Sequence, residues 1–314
     1  MACAMPILAL LALAAAAGSD PAPSGFAAGS PWPGRRGPRR DGIAPWLPAT
    51  PRPIWRRLEG PALAGIAATE SHVIVADRDA GDAEDIFRCL RAERGEEIWS
   101  IRYAAPGDLG FGNAPRATPL IADGRVYLLG AFGDLRCVDL ASGAVAWKRN
   151  LPAAFGARAP KWGYSASPLA VDDKRIVNPV GRDASLVALD RRSGAVLWRS
   201  PGAEGAYASF IVGTFGGVLQ IVGYDKVSLG GWEIESGKRL WTLVPPASGD
   251  YNVPTPIDAG GELLLIDARS ARFSCLSRLR VLADGADAYA HPALVGPRLY
   301  LRGAEAIVCL SLEE

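Results

Sequence analysis

Apolar and polar positions along this chain fall into short runs, and the runs return in pairs. Residues 64–78, AGIAATESHVIVADR, hold two strand-length apolar runs around a Glu-Ser break. The same shape returns from Ala117 (ATPLIADGRVYLLG), Ala166 (ASPLAVDDKRIVNPVG), Ala208 (ASFIVGTFGGVLQIVG), Val253 (VPTPIDAGGELLLID) and Ala290 (AHPALVGPRLYLRG). β-Branched runs broken by Gly, Asp or Ser predict paired strands. A second pattern lies between the pairs. In LVALDRRSGAVLW, Ala188, Asp190, Gly194 and Trp198 stand at relative positions 0, 2, 6 and 10. Cys137, Asp139, Gly143 and Trp147 repeat that frame. Cys89, Gly95 and Trp99 repeat it with Arg91 in the Asp slot, and Glu233, Gly237 and Trp241 repeat it with Glu there.

The tryptophans are spaced by 48, 51 and 43 residues, a period that predicts a repeat of four strands. The frame has a physical logic. The small residue sits where sheets press together, and the Asp bonds the turn backbone. The glycine takes the positive φ of a tight turn, and the tryptophan covers the gap to the next sheet. An all-β β-propeller of four-stranded antiparallel blades follows. Residues 51–314 are long enough for about six blades. Trp55, in RPIWRR, occupies an outer-strand slot with no blade of its own, and the chain ends at AIVCLSLEE without an outer strand. Pairing the two closes the ring and hides both edges. The fifth blade is the exception: RLRVLADG is its remnant, without docking Gly or Trp, and material equivalent to about two blades is missing near residues 276–289.

These residues resemble the quinoprotein-type (PQQ-like) propeller repeat, whose docking motif runs Ala-x-Asp-x-x-x-Gly-x-x-x-Trp. WPGRRGPRRDG (Trp32 to Gly42), WGYSASPL, NVPTPI and AHPALVGPRLYLR resemble segments of its secreted bacterial members. The resemblance covers roughly residue 30 to the end. For enzymes of that family it implies a calcium held by carboxylates and amides, an Asp base and a vicinal cysteine pair over the quinone. This chain has no adjacent cysteines, is far shorter, and offers only Asp250 with Asn252, near Glu204, as a calcium-like loop. Neither the quinone nor calcium is expected. The family also includes an envelope lipoprotein that helps insert outer-membrane β-barrels. No cysteine follows the N-terminal apolar run, so that role is not carried over.

That run, MPILALLALAAAA, makes residues 1–18 read as a signal peptide, although Lys and Arg are lacking there. It is too short to span a membrane as a helix. Export to the periplasm or beyond is expected, with no stable membrane span after signal removal. Residues 19–50 form a Pro/Gly/Arg-rich linker or strap, and residues 51–314 the propeller. The 314 residues carry 34 basic and 33 acidic side chains, net +1, which points to no nucleic-acid partner. Cys89, Cys137, Cys275 and Cys309 are expected as buried thiols in equivalent slots of different blades, too far apart to pair.

Chemistry in a propeller belongs at the channel mouth, on loops joining one blade's outer strand to the next blade's inner strand. An aromatic recurs there: Phe111, Tyr164, Tyr207, Tyr251 and Tyr289. Asn113, Arg116, Lys161, Trp162, Ser165, Asn252 and His291 would join them. An aromatic ring with a few polar groups suits a sugar, a peptide or an aromatic ligand, whereas loop-on-loop packing would be its purely structural role. His72, within a strand, reads as structural. No nucleophile accompanies His291, and no catalytic motif is present. The expected function is an exported, non-catalytic, monomeric propeller that binds or scaffolds an unknown protein or glycan. A carbohydrate- or peptide-binding mouth is the alternative, and a quinone-dependent oxidoreductase is the third reading.

Overall fold

A computed structural model describes residues 33–34, 52–203, 207–215, 217–244, 292–303 and 306–311, and, as backbone alone, 10–13, 262–267 and 275–280. The first strands are β1 (Leu10–Leu13) and β2 (Arg52–Leu58). Then come β3 (Ala67–Ala68), β4 (His72–Arg78), β5 (Glu84–Arg91) and β6 (Glu97–Ala104), followed by β7 (Leu120–Ala122), β8 (Arg125–Leu129), β9 (Asp134–Asp139) and β10 (Val145–Asn150). A short helix, α1 (Leu151–Phe155), precedes β11 (Leu169–Val171), β12 (Lys174–Val177), β13 (Leu186–Asp190) and β14 (Val196–Ser200). Next are β15 (Ile211–Phe215), β16 (Val218–Tyr224), β17 (Leu229–Trp232) and β18 (Arg239–Leu243), then β19 (Glu262–Asp267) and β20 (Cys275–Arg280). The last three are β21 (Ala293–Val295), β22 (Arg298–Arg302) and β23 (Ala306–Ser311). Among the described residues there are five four-stranded sheets, β3–β6, β7–β10, β11–β14, β15–β18 and β2-β23-β22-β21. Each pairs neighbours antiparallel, as in a propeller blade. A three-stranded sheet, β1-β19-β20, is the sixth.

By contacts the chain divides into residues 1–77, 88–100 and 255–314, and residues 78–87 and 101–254. In the first unit, β2 pairs antiparallel with β23, Trp55 opposite Cys309 and Arg56 opposite Val308. The strand with no blade of its own thus supplies the outer strand of the last one. Ile66, Val73, Val75 and Leu90 pack with Leu299, Tyr300, Ile307 and Leu310 as its core. The indole of Trp55 lies over Gly95, whose φ is 70°, and its N–H donates to the Ala92 carbonyl at 3.0 Å. Among the described residues the fifth blade has two antiparallel strands, β19 and β20. Its third, β1, is parallel to β19, with Leu10 opposite Leu264, and comes from the stretch expected to be a signal.

In the second unit the docking frame repeats in atomic detail. Cys137 and Ala188 are fully buried and lie in register with Trp147 and Trp198. The Asp139 and Asp190 carboxylates accept from the backbone N–H of Ser142 (2.9 Å) and Ser193 (2.7 Å). Trp147 donates to the Arg191 carbonyl at 3.3 Å, and Trp198 to that of Ile234 at 3.0 Å, each in the next blade's turn. Each indole covers the turn glycine, Gly194 (φ 69°) or Gly237 (φ 68°). Arginine adds a tie: Arg149 donates to the Gly194 carbonyl at 2.7 Å, as Arg57 does to Gly95 at 3.3 Å in the first unit. Trp241 departs from the frame. Its N–H donates to Gln220 Oε1 of its own sheet at 2.6 Å. Cys89, Cys137 and Cys309 are buried free thiols in separate strands. Burial pushes Cys89 and Cys309 up to about 12. Cys3 and the Cys275 side chain lie outside the described residues.

Candidate functional site

The loops between outer and inner strands of the second unit are held by a stitch that repeats from blade to blade. The Thr118 N–H donates to Ser167 Oγ at 2.9 Å, and the Ser167 N–H to Ser209 Oγ at 2.9 Å. Each hydroxyl follows a small residue at an inner-strand entrance, in Ala117-Thr118, Ala166-Ser167 and Ala208-Ser209. That recurring dipeptide was the signal by which sequence alone could have found the stitch.

Above it, the structure gathers Phe111, Arg116, Trp162, Ser165 and Tyr207. The Phe111 and Trp162 rings meet edge to face at 5.4 Å, and Trp162 and Tyr207 overlap at 5.1 Å with a 31° tilt. Such contacts add about 0.5–1.5 kcal/mol beyond burial. The Ser165 hydroxyl donates to the Tyr207 carbonyl at 3.0 Å, and the Trp162 N–H to the Tyr207 hydroxyl at 3.4 Å. Arg116 ties the two loops together. Its guanidinium donates to the carbonyls of Ala114 (3.3 Å), Gly110 (3.4 Å), Gly112 (2.5 Å) and Trp162. Burial pulls its pKa down to about 10. Gly110 must lack a side chain, since a Cβ there would lie 2.7 Å from the Trp162 ring. Lys161 is exposed beside Trp162.

Phe111 is the outlier. It is 79% exposed, more than any other large hydrophobic side chain among the described residues. Its φ is 65°, a region bulky L-residues avoid. An exposed aromatic held in a disfavoured backbone state costs on the order of 1–3 kcal/mol and is a functional pointer.

Tyr164 and Asn113 are corrections. Tyr164 is buried, donating from its hydroxyl to the Pro179 carbonyl at 3.0 Å. Gly163 turns the chain at φ 71° and the Tyr164 N–H bonds the Ala131 carbonyl at 2.8 Å, so Tyr164 joins the core with Leu135, Leu151 and Val187. Trp162 takes the surface place that the recurrence gives to Tyr164. Asn113, also buried, accepts from the Leu109 N–H at 2.9 Å and donates to Asp82 at 2.7 Å. Asp82 holds Arg78, which pairs with buried Asp85 at 2.7 Å. Asp85 accepts from the Tyr103 hydroxyl at 3.2 Å, and burial pushes it up to about 6. Asn113 is therefore an anchor of the loop rather than a contact residue. Tyr251, Asn252, Tyr289 and His291 lie outside the described residues, as do Glu204 and Asp250. His72 is half-buried, with Nδ1 2.8 Å from the Ser71 hydroxyl, and burial lowers its pKa.

The Trp162 and Tyr207 faces are turned on each other, which leaves the Phe111 ring as the open apolar surface. Among the described residues no group of three or more His, Cys, Asp or Glu could hold a metal ion. The three described cysteines are separate and buried. The calcium-like loop that the sequence offered, Asp250 with Asn252 near Glu204, lies outside the described residues. Nor is any helix among them long and apolar enough to cross a membrane.

A family model described as outer membrane protein assembly factor BamB matches residues 82–280. BamB of Yersinia pestis is 25% identical over 232 residues, 70% of this chain and 52% of that protein. BamB of Alkalilimnicola ehrlichii is 28% identical over 144 residues, 45% of this chain and 34% of that one. The chain thus spans between a third and about half of these relatives' lengths. Among solved structures, quinohemoprotein alcohol dehydrogenase from Comamonas testosteroni matches with a TM-score of 0.53 and 14% identity, over 82% of this chain and 50% of that one. That likeness is one of fold.

Proposed function

The chain belongs to the family of the outer membrane protein assembly factor BamB, and from that premise we propose that it is a non-catalytic protein-interaction module of the cell envelope, periplasmic in location, that works in outer-membrane protein assembly and grips its partner through Phe111. The observation that carries the reading is the exposed Phe111 ring at φ 65°, locked by Arg116 and Trp162. A pre-set aromatic knob suits a protein interface, where a few aromatic and arginine anchors carry most of the binding energy. Fixing it in advance lowers the ordering cost of association. The same geometry favours a protein over a glycan, because a sugar stacks on open ring faces and two of the three rings cover one another.

Phe111→Gly tests this directly. Glycine relieves the positive φ, so the fold should be as stable or more stable by up to ~1 kcal/mol. Partner capture should nevertheless fall. A photo-crosslinking residue at 111, in cells, should form adducts with proteins of the outer-membrane assembly pathway. Retention of those adducts by Phe111→Gly at a neighbouring crosslinking position would sink the proposal.

A further inference from the structure

Several cations of the second unit are neutralised in place. Arg78 pairs with Asp82 and Asp85, Arg175 with Asp123, Lys174 with Asp173 and Glu235, and Arg239 with Asp225. The loops around Phe111 are different. Residues 105–116, 156–165 and 181–184 join strands at one end of their blades. They hold four cations, Arg116, Arg158, Lys161 and Arg182, against two carboxylates, Asp108 and Asp183. Among the described residues none of the six takes part in an ion pair. Arg158, Lys161 and Arg182 are exposed. The Arg116 guanidinium hydrogen-bonds main-chain carbonyls and no carboxylate, so its charge is uncompensated. Lys161 stands beside Phe111, since the Gly110 N–H donates to the Lys161 carbonyl at 3.0 Å. Arg158 and Arg182 follow Ala157 and Gly181, and a Cβ built at Gly181 would lie 3.6 Å from that of Ala157. The exposed ring therefore rises from a surface of net positive charge.

We propose that the partner segment that receives Phe111 is acidic: a stretch of chain with Leu or another large apolar residue flanked by Asp or Glu. This rests on the interaction-module reading above and adds the partner's charge to it. At an interface a buried anchor supplies most of the affinity, while charges around it set orientation, partner choice and on-rate. Cations left without carboxylates beside the anchor keep their field for an incoming anion. Lys161 and Arg158 are free to reach the partner's carboxylates, and Arg116, fixed between the two loops, adds a charge that does not move. A basic segment would meet like charges on every side of the ring. An anionic membrane surface would also feel the field, but one exposed ring offers it little apolar area, and stable attachment to a bilayer takes more than one signal.

The probe is a fluorescein-labelled twelve-residue peptide with Leu flanked by Glu and Asp, compared by anisotropy with the same peptide carrying Gln and Asn in their place. At low salt the full chain should bind the acidic peptide about ten-fold more tightly than the amide peptide. The gap should close as salt rises to about 0.5 M. Lys161→Glu and Arg158→Glu, both at exposed sites, should each weaken binding of the acidic peptide about five-fold and leave the amide peptide unchanged. Lys238→Glu makes the same change of charge in a docking turn at the other end of its blade and should not alter the preference. Phe111→Gly should weaken both peptides alike. Equal binding of the two peptides, a preference that survives both Lys161→Glu and Arg158→Glu, or no binding of either would overturn the proposal. So would binding to phosphatidylglycerol vesicles in place of peptide, since the occupant would then be a membrane. Crosslinking from residue 111 in cells reads the interaction module separately. Adducts kept while the two peptides bind equally would strike this proposal alone, whereas loss of the adducts would strike the earlier reading.

Discussion

Trp198 and Trp241 close the same ten-residue frame in adjacent blades and end in different places. Trp198 is 9% exposed, reaches the Ile234 carbonyl 36 residues ahead and lies over Gly237. Trp241 is half-buried and turns to Gln220, 21 residues behind it, over Gly231. The motif delivers a large apolar ring with one N–H to satisfy. For Trp198 the next blade's turn supplies both cover and acceptor. For Trp241 the next blade carries neither docking glycine nor tryptophan in its sequence, so its own sheet supplies both. Gln220 stands where corresponding strands have Arg125, Lys174 and Arg298, two residues before the partner of the small slot. A cation there would offer the indole no acceptor. The lesson is that a repeat motif specifies a need, and the neighbouring sequence decides where the need is met.

Removing the two rings gives the largest expected contrast. Trp198→Ala should cost about 3–5 kcal/mol, the range for deleting a buried aromatic. Trp241→Ala should cost about 1–2 kcal/mol, because part of its ring is already in water. Denaturant titrations of both variants measure the difference, and equal losses would break the comparison. The glycines beneath the rings come next. Gly237→Ala places a Cβ 2.3 Å from the Trp198 ring at φ 68°, so ring and backbone both resist, and about 2 kcal/mol or more should be lost. Gly231→Ala first meets the Gln220 and Trp241 side chains. There the indole can swing outward, so a smaller loss and red-shifted tryptophan fluorescence are expected.

What sequence made legible was what repeats. The paired strands, the docking frame, the β2–β23 pairing and the shortage of chain in the fifth blade all follow from spacing. α1 was missed, although Asn150 caps the Ala153 N–H at 3.0 Å and Gly156 closes the helix at φ 60°, both readable as start and stop signals. The site was legible only in part. Recurrence put Phe111, Tyr164 and Tyr207 at one mouth with Trp162 beside them, but it could not say that Gly163 turns Tyr164 inward and leaves its place to Trp162. The tie made by Arg116 was hidden because its acceptors are main-chain carbonyls, which residue types do not reveal. Gln220 became meaningful only once strand register set it beside Trp241.

Replacing Gln220 isolates the substitute acceptor. Gln220→Leu keeps the volume and removes the carboxamide, leaving the Trp241 N–H to find water. About 1 kcal/mol should be lost, the net worth of one hydrogen bond. The double variant Gln220→Leu, Trp241→Phe should recover most of it, because the orphaned donor is gone. A Gln220→Leu loss that persists in the double variant would mean that Gln220 serves the strand and not the ring, and the contrast with Trp198 would lose its mechanism.

The smallest effect tests the turn under Trp147, whose acceptor, the Arg191 carbonyl, lies next to Asp190. The Asp190 carboxylate accepts from Ser193 Oγ at 2.6 Å and from the N–H groups of Ser193 and Arg192, and these bonds lower its pKa. A carboxylate lowered on folding adds stability above its unfolded pKa and loses it as pH falls through the folded value. Asp190→Asn should therefore melt below wild type at pH 7, and the gap should close in acid as the wild-type carboxyl takes up its proton. The group is near the surface, so screening keeps the effect to a few tenths of a kcal/mol. Because the turn carries Trp147 and not Trp241, the fluorescence change that Asp190→Asn causes should vanish when Trp147 is replaced by Phe and persist when Trp241 is. A gap that stays constant from pH 7 to pH 3 would show that the Asp holds the turn by shape rather than charge, and the docking tryptophans would then differ only in their acceptors.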